Sequence, residues 1–379
     1  NFFNSEGFED EKRVILENTT LHFMPMVNPD GAENFTRRNV LSIDLNRDAL
    51  RLQTPEAQTL KKVRDSLEAD FGFNLHDQST YYNAEGTPKP ATISFLAPAY
   101  NFEKEINPVR KRAMQIIVSM NQNLQQLVPG QVGRYSDDFE PRAFGDNFQK
   151  WGTSTILIES GGYKDDAEKQ EIRKLNFVSI LSALLTIAND SYNGIDISEY
   201  EKIPNNDRKL FDLKIKGATY QFGNNEYIID LGINHNEIGI DNQTDYYNVG
   251  GIMDIGDLST SFGYETLDAE GYKIVSGKLY DQAFADISKI DEAKAFDLLS
   301  KGFTHIRVNQ IPKEQEYVNL PIQILGPNAK QPKFDLNFGR NPTFLLSKDG
   351  KFDYAVVNGF LVDLNSRESR VRNGLIIRK

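Results

Sequence analysis

Apolar and polar positions along the first half of the chain change period repeatedly, from alternating or continuous short runs to helical spacing and back. Leu21-His22-Phe23-Met24-Pro25-Met26-Val27 is a short apolar run that reads as a buried strand. Asn28-Pro29-Asp30-Gly31 follows as a tight turn, because Pro fixes φ, Asp bonds local backbone and Gly accepts positive φ. Thr54-Pro55-Glu56 opens a helix with a capping hydroxyl, a proline suited to the first turn and an acid at the positive end. Leu60, Val63 and Leu67 then recur at helical spacing to about residue 70. Phe71 to Gln78 and Thr92 to Ala97 read as strands, with Pro98 stopping the second. A helix is expected from about Asn107 to Leu127, with Ala113, Ile116, Ile117, Met120 and Leu124 on one face. Thr153-Ser154-Thr155-Ile156-Leu157-Ile158-Glu159 is a strand ending in an acid, and Ser160-Gly161-Gly162 breaks it before a long amphipathic helix over about 165–189. Strands alternating with helices predict an α/β domain with a parallel or mixed sheet.

The pattern changes near residue 190. Asn189 to Gly194 reads as a linker, Pro204-Asn205-Asn206-Asp207 as a further turn, and short alternating strands dominate from 208 onward. Hairpins are expected between Ala218–Phe222 and Tyr227–Leu231, and between Asp353–Val357 and Phe360–Leu364 across Asn358-Gly359. One short helix is expected over Asp291–Ser300. The chain is therefore divided into an α/β domain over 1–190 and a β-rich accessory domain over 205–379, read as a sandwich. Residues 1–18 are polar and acidic, without clear period until Val14-Ile15-Leu16, and suit a frayed lead-in or a helix end.

Composition narrows the chemistry. A net charge of −11 lacks the basic face that a nucleic-acid partner requires. No run approaches the twenty apolar residues of a membrane-spanning helix. Without cysteine, disulfides and thiolate metal sites are excluded, so any metal must be held by Asp, Glu or one of four His. In open α/β sheets ligands bind at the carboxyl ends of strands. Three predicted strands end in reactive or turn-forming groups: Asn28-Pro29-Asp30, His76 and Glu159. Beyond the first of these, Arg37, Arg38, Asn39, Asp44, Asn46 and Arg47 concentrate guanidinium forks and amides in one loop, a composition that suits carboxylate binding or a solvated surface.

The ordered run Asn28-Pro29-Asp30-Gly31, Arg37-Arg38-Asn39 and Asp44-Leu45-Asn46-Arg47 resembles the M14 family of zinc carboxypeptidases, whose members carry NPDG, R-x-N and D-x-N-R in that order. The resemblance spans about residues 20–190 and implies a carboxypeptidase-like mixed sheet flanked by helices. It implies hydrolysis of a peptide or peptide-like amide beside a free carboxylate. Residue by residue, it places Arg37 as the arginine polarising the scissile carbonyl and Asn46 and Arg47 as the grip on the terminal carboxylate. His76 falls at the family's second zinc-binding histidine and Glu159 at its catalytic glutamate. Tyr135, the only tyrosine between Tyr100 and Tyr163, stands imperfectly in the position of the family's mobile tyrosine.

Zinc in this family is held by His, Glu and His, the first two arriving as H-x-x-E upstream of NPDG. None of His22, His76, His235 and His305 has Glu three positions on. One zinc ligand of three, His76, is therefore expected in this chain. Beginning at Asn1 without an initiator Met, the chain is read as a processed or trimmed portion of a periplasmic or secreted parent. Two alternatives remain beside the zinc carboxypeptidase: a catalytically incomplete binding protein on the same scaffold, and an N-acyl amino acid deacylase.

Overall fold

Two strands fix the frame of the site. In the computed structural model, which describes residues 2–240, 244–366 and 374–378, the chain divides into units Asn1–Arg208 and Lys209–Lys379. The first unit contains helices α1 (Glu9–Asn18), α2 (Pro29–Asn34), α3 (Pro55–Leu67), α4 (Pro108–Leu127), α5 (Phe144–Lys150), α6 (Gln170–Ala188) and α7 (Ser198–Glu201). Its strands are β1 (Phe71–Asp77), β2 (Asn83–Ala84), β3 (Ile93–Leu96), β4 (Val132–Arg134), β5 (Ser154–Ser160) and β6 (Asn206–Asp207).

The main sheet runs β1-β5-β3-β4. β1 and β5 are parallel, so their carboxyl ends share one edge, with His76 opposite Glu159 in register. β3 is antiparallel to β5 and brings its amino end to that edge, Ile93 opposite Ser160. A mixed sheet flanked by helices is thus what the chain forms. Its core is apolar: Ile93, Phe95, Ile156 and Ile158 on the strands meet Ile116, Ile117, Met120 and Leu124 on α4.

The helix starts follow their capping chemistry. The Thr54 hydroxyl accepts the Ala57 N–H (3.2 Å) with Pro55 next in line, and the Asn107 side chain accepts the Arg110 N–H (2.9 Å) ahead of Pro108. α6 begins at Gln170, five residues later than its pattern suggested. Asp166 fixes that start by accepting the N–H groups of Gln170 (2.7 Å), Glu171 (3.0 Å) and Ile172 (3.2 Å). At the other end of the chain, the acidic lead-in is helix α1, whose Glu9, Asp10 and Glu11 lie at its positive end.

Two local expectations fail. Residues 21–27 form no strand, and Phe23 is 82% exposed. A strand needs a ladder partner. None of the described residues pairs with this segment, Pro25 lacks a donor, and Met26 turns the backbone left-handed at φ 58°. The Asn28-Pro29-Asp30-Gly31 run is not a β-turn but the first turn of α2, with the Asn28 side chain accepting the Gly31 N–H (3.0 Å) and Pro29 at the first helical position.

The second unit is β-rich. An eight-stranded sheet is built around Leu210–Phe222, Asn225–Ile240 and Asp245–Gly256, and a six-stranded sheet around Phe303–Gln310. Both hairpins occur, and Asn358 and Gly359 take the positive φ values (51° and 85°) that a two-residue hairpin turn needs. The short helix runs Glu292–Ser300, capped by the Asp291 side chain on the Lys294 N–H. The unit departs from a simple antiparallel sandwich because several pairs are parallel, among them Phe262–Asp268 with Leu210–Phe222 and Phe303–Gln310 with Gln323–Leu325.

Candidate functional site

Glu159 closes an apolar strand and is half-buried at its end. Burial comes first among the influences on its carboxyl, the negative charge of Asp77 adds to it, and Arg37 opposes both; the result is a pKa raised to about 7. His76, its register partner, is pushed below the ordinary histidine value by burial and then by the Arg37 cation. Its imidazole is therefore neutral at pH 7. Asp77 is tied to Lys169 just ahead of α6. Tyr135 lies beyond the end of β4, in the field of Glu159, with Tyr82 and Asn206 bonded to its hydroxyl. Burial and the Glu159 charge raise its phenol well above the usual range.

Arg37 reaches this edge from the loop after α2. Asn28 holds the loop twice, since its amide also donates to the Arg37 carbonyl (3.2 Å). Gly31 permits this closure: a Cβ there would lie 2.3 Å from Asn28 Nδ2 and 2.5 Å from the Thr36 carbonyl oxygen. The Arg37 guanidinium pairs with Asp44 (2.9 Å), and Asp44 in turn caps the 3-10 turn Leu45–Arg47 by accepting the Asn46 N–H (3.1 Å).

The structure thus brings His76, Glu159, Arg37 and Tyr135 within one electrostatic neighbourhood. Asn46 and Arg47 sit on the same loop as Arg37 with their side chains engaged elsewhere. Asn46 Oδ1 accepts the Phe144 N–H at the start of α5 (2.8 Å), and Arg47 faces Glu140 (3.5 Å). Only the amide NH2 of Asn46 is left as a donor for an anion. Sequence reasoning missed Asp77, Lys169, Tyr82 and Asn206, which have no motif. Each enters through the fold, Asn206 from the short strand β6 that pairs with β2.

Asn206 also joins a closed polar ring beneath the site. Its Oδ1 accepts the Ser94 hydroxyl (2.8 Å), its Nδ2 donates to Gln78 Oε1 (3.0 Å), and Gln78 Nε2 donates to Ser94 Oγ (2.9 Å) and the Ala91 carbonyl (2.8 Å). Gly161 lets β5 end against this ring, because a Cβ would lie 2.2 Å from the Ala91 oxygen. Gly161→Ala is expected to cost about 1–3 kcal/mol of stability through this overlap, measurable by denaturant unfolding.

A metal can be tested against the donors present. His76 offers a neutral imidazole, the form that coordinates zinc. Among the described residues, however, no group of three or more His, Asp or Glu side chains is placed to hold an ion. Asp77 is committed to Lys169, and the Arg37 cation faces His76. The described residues do not make a tetrahedral zinc site. Calorimetric titration of this chain with zinc is expected to show weak binding or none.

No family model matches the chain. Carboxypeptidase SOL1 of Arabidopsis thaliana is 33% identical over 113 residues, covering 24% of this chain and 23% of the relative, so the match spans under a quarter of that relative's length. Among solved structures, a putative carboxypeptidase A from Shewanella denitrificans aligns at 13% identity over 49% of this chain and 50% of its own, with a TM-score of 0.36. A metallo-carboxypeptidase from Burkholderia cenocepacia aligns at 16% identity over 49% and 48%, with a TM-score of 0.35. Among the described residues no helix is long and apolar enough to cross a membrane.

Proposed function

We propose, from the premise that this is a carboxypeptidase-like chain of the M14 type, that its first unit serves hydrolysis of peptides or peptide-like amides beside a free terminal carboxylate. The observation that carries the reading is Glu159 set opposite His76 on parallel strands, with Arg37 acting on both. Arg47 and the Asn46 amide would hold the substrate carboxylate, a guanidinium being matched to that group in shape and charge. Arg37 would polarise the scissile carbonyl and stabilise the oxyanion as it forms.

Glu159 has the proton affinity the reaction needs. With a pKa near 7 it can accept a proton from a water whose oxygen bonds to the carbonyl carbon, then return that proton to the amine as the C–N bond breaks. Zinc dependence, which the family resemblance implies, would require ligands beyond His76.

The test compares release of the terminal residue from peptides with free and amidated termini, with and without added zinc. Cleavage confined to the free carboxylate supports the reading, and equal handling of both termini contradicts it. Arg47→Ala should weaken binding of the free peptide by about 1 kcal/mol, near fivefold. The Arg47 side chain is 37% exposed, so its ion pairs are screened by solvent. Because the described residues hold no complete donor set for a metal, a second reading stands beside the first: a binding protein that retains the carboxylate grip without turnover. It predicts the same preference for free termini and no release of the terminal residue under any metal condition.

A further inference from the structure

We infer that Glu140 is the resident counter-ion of Arg47 and tunes the affinity of the site by competing with the substrate's terminal carboxylate. The inference rests on the assignment of Arg47 to that carboxylate, and adds what occupies the guanidinium beforehand. Glu140 Oε2 lies 3.5 Å from Arg47 Nε, while Arg47 Nη1 donates to the Asn46 carbonyl (2.6 Å). The guanidinium is therefore partly satisfied by a carboxylate of the same chemical kind as a peptide terminus.

Glu140 is not a stray surface acid. Arg142 grips it in two-pronged fashion, Nε to Oε1 at 2.9 Å and Nη2 to Oε2 at 2.8 Å, and the Arg142 N–H adds a third bond to Oε1 (3.1 Å). Its own backbone N–H donates to the buried carboxylate of Asp146 (3.0 Å), which fixes the chain at this point. These contacts, Arg142 foremost, hold the Glu140 carboxyl down to about 2, so it is ionised throughout the neutral range.

An exchange follows from these distances. Two carboxylates on one guanidinium edge repel, so an arriving peptide terminus must displace Glu140 from Arg47. Glu140 gives up only the longer contact and keeps its two-pronged pair with Arg142, so displacement is cheap but not free. A neutral amidated terminus offers no charge to replace the one it would push aside. Glu140 thereby lowers the affinity of Arg47 for a charged terminus, whereas a neutral amidated terminus, which does not pair with the guanidinium, leaves Glu140 in place.

The experiment titrates the full chain with an N-acetylated tetra-alanine peptide, free or amidated at its C-terminus, using wild type and Glu140→Gln. Removing one partly exposed competing charge should tighten binding of the free peptide by about threefold to fivefold and leave the amidated peptide unchanged. Weaker or unchanged binding by Glu140→Gln would overturn the inference, showing that Glu140 orients Arg47 or is irrelevant to it. If neither protein distinguishes free from amidated peptide, the carboxylate reading itself falls. Glu140→Ala, expected to act in the same direction, guards against a folding defect. In the unaltered protein, the Glu140 side-chain carboxyl carbon should shift on adding the free peptide and stay fixed with the amide. A fixed signal at saturating free peptide contradicts displacement.

Discussion

Glu159→Gln is expected to reduce hydrolysis about a hundredfold or more while leaving peptide affinity unchanged. Losing a positioned proton carrier typically removes two to four orders of magnitude in rate, and glutamine keeps the shape of the side chain while the terminal carboxylate is held elsewhere, by Arg47 and Asn46. The same substitution should also change stability with pH. A carboxyl whose native pKa is about 7, against an ordinary value of 4.5, contributes stability that is present below about 4.5 and lost as pH rises through 7. Wild type should therefore weaken more than Glu159→Gln across that window. Relative to wild type, the variant should gain about 1–2 kcal/mol at pH 8 over its difference at pH 4, after discounting for a site that solvent still reaches. Denaturant unfolding at the two pH values measures this difference. Asp146, buried and raised to about 6, contributes in the same direction and is present in both proteins, so it cancels in the comparison.

Arg110→Met should be the most destabilising of the substitutions considered, at about 3 kcal/mol. Arg110 is 2% exposed and serves three acceptors: Asp137 (2.5 Å), the Lys104 carbonyl (2.7 Å) and the Ala97 carbonyl (3.2 Å). Methionine fills much of the volume but takes this donor from both carbonyls and leaves Asp137 only the more exposed Lys104 ammonium (3.1 Å), and breaking a buried pair costs far more than never having built it. For a domain of this size, the melting temperature should fall by about 6–10 °C. Asp137 lies two residues after Tyr135, so the loss should also loosen the segment that carries the tyrosine to Glu159. Arg110→Met combined with Asp137→Asn should cost less than the sum of the single changes, because the second removes the charge whose buried partner the first deletes.

How much of this was legible in the sequence depended on whether the signal was local. Thr54-Pro55 and Asn107-Pro108 mark helix starts correctly because a cap acts within one turn. The α4 face shows because five apolar residues repeat at helical spacing. Segment 21–27 misled for the opposite reason. Its composition suits a strand, but a strand exists only where another strand pairs with it, and that is a property of the whole sheet. Asn28-Pro29-Asp30-Gly31 misled more subtly, since the chemistry that favours a turn equally favours the first turn of a helix.

At the site, His76 and Glu159 were visible as polar residues ending apolar strands, but the parallel register that sets them side by side is a property of the whole sheet, with no local signal. The positions of Asn46 and Arg47 were visible through their motif, but their partners were not. Phe144 and Glu140 lie roughly a hundred residues away, and nothing local announces them. Asp77, Tyr82 and Asn206 shape the field and hydrogen bonding around Glu159 and Tyr135 from elements whose proximity only the folded chain creates.

The central claim is that Glu159 is the proton-carrying group of a site it shares with His76 and Arg37. Carbon-13 detected titration of the Glu159 carboxyl tests it most directly, in wild type and in Arg37→Ala. The account predicts a midpoint near 7 in wild type and a higher one in Arg37→Ala, because the guanidinium now favours the ionised form. A midpoint at the ordinary glutamate value, unmoved by loss of Arg37, would contradict it.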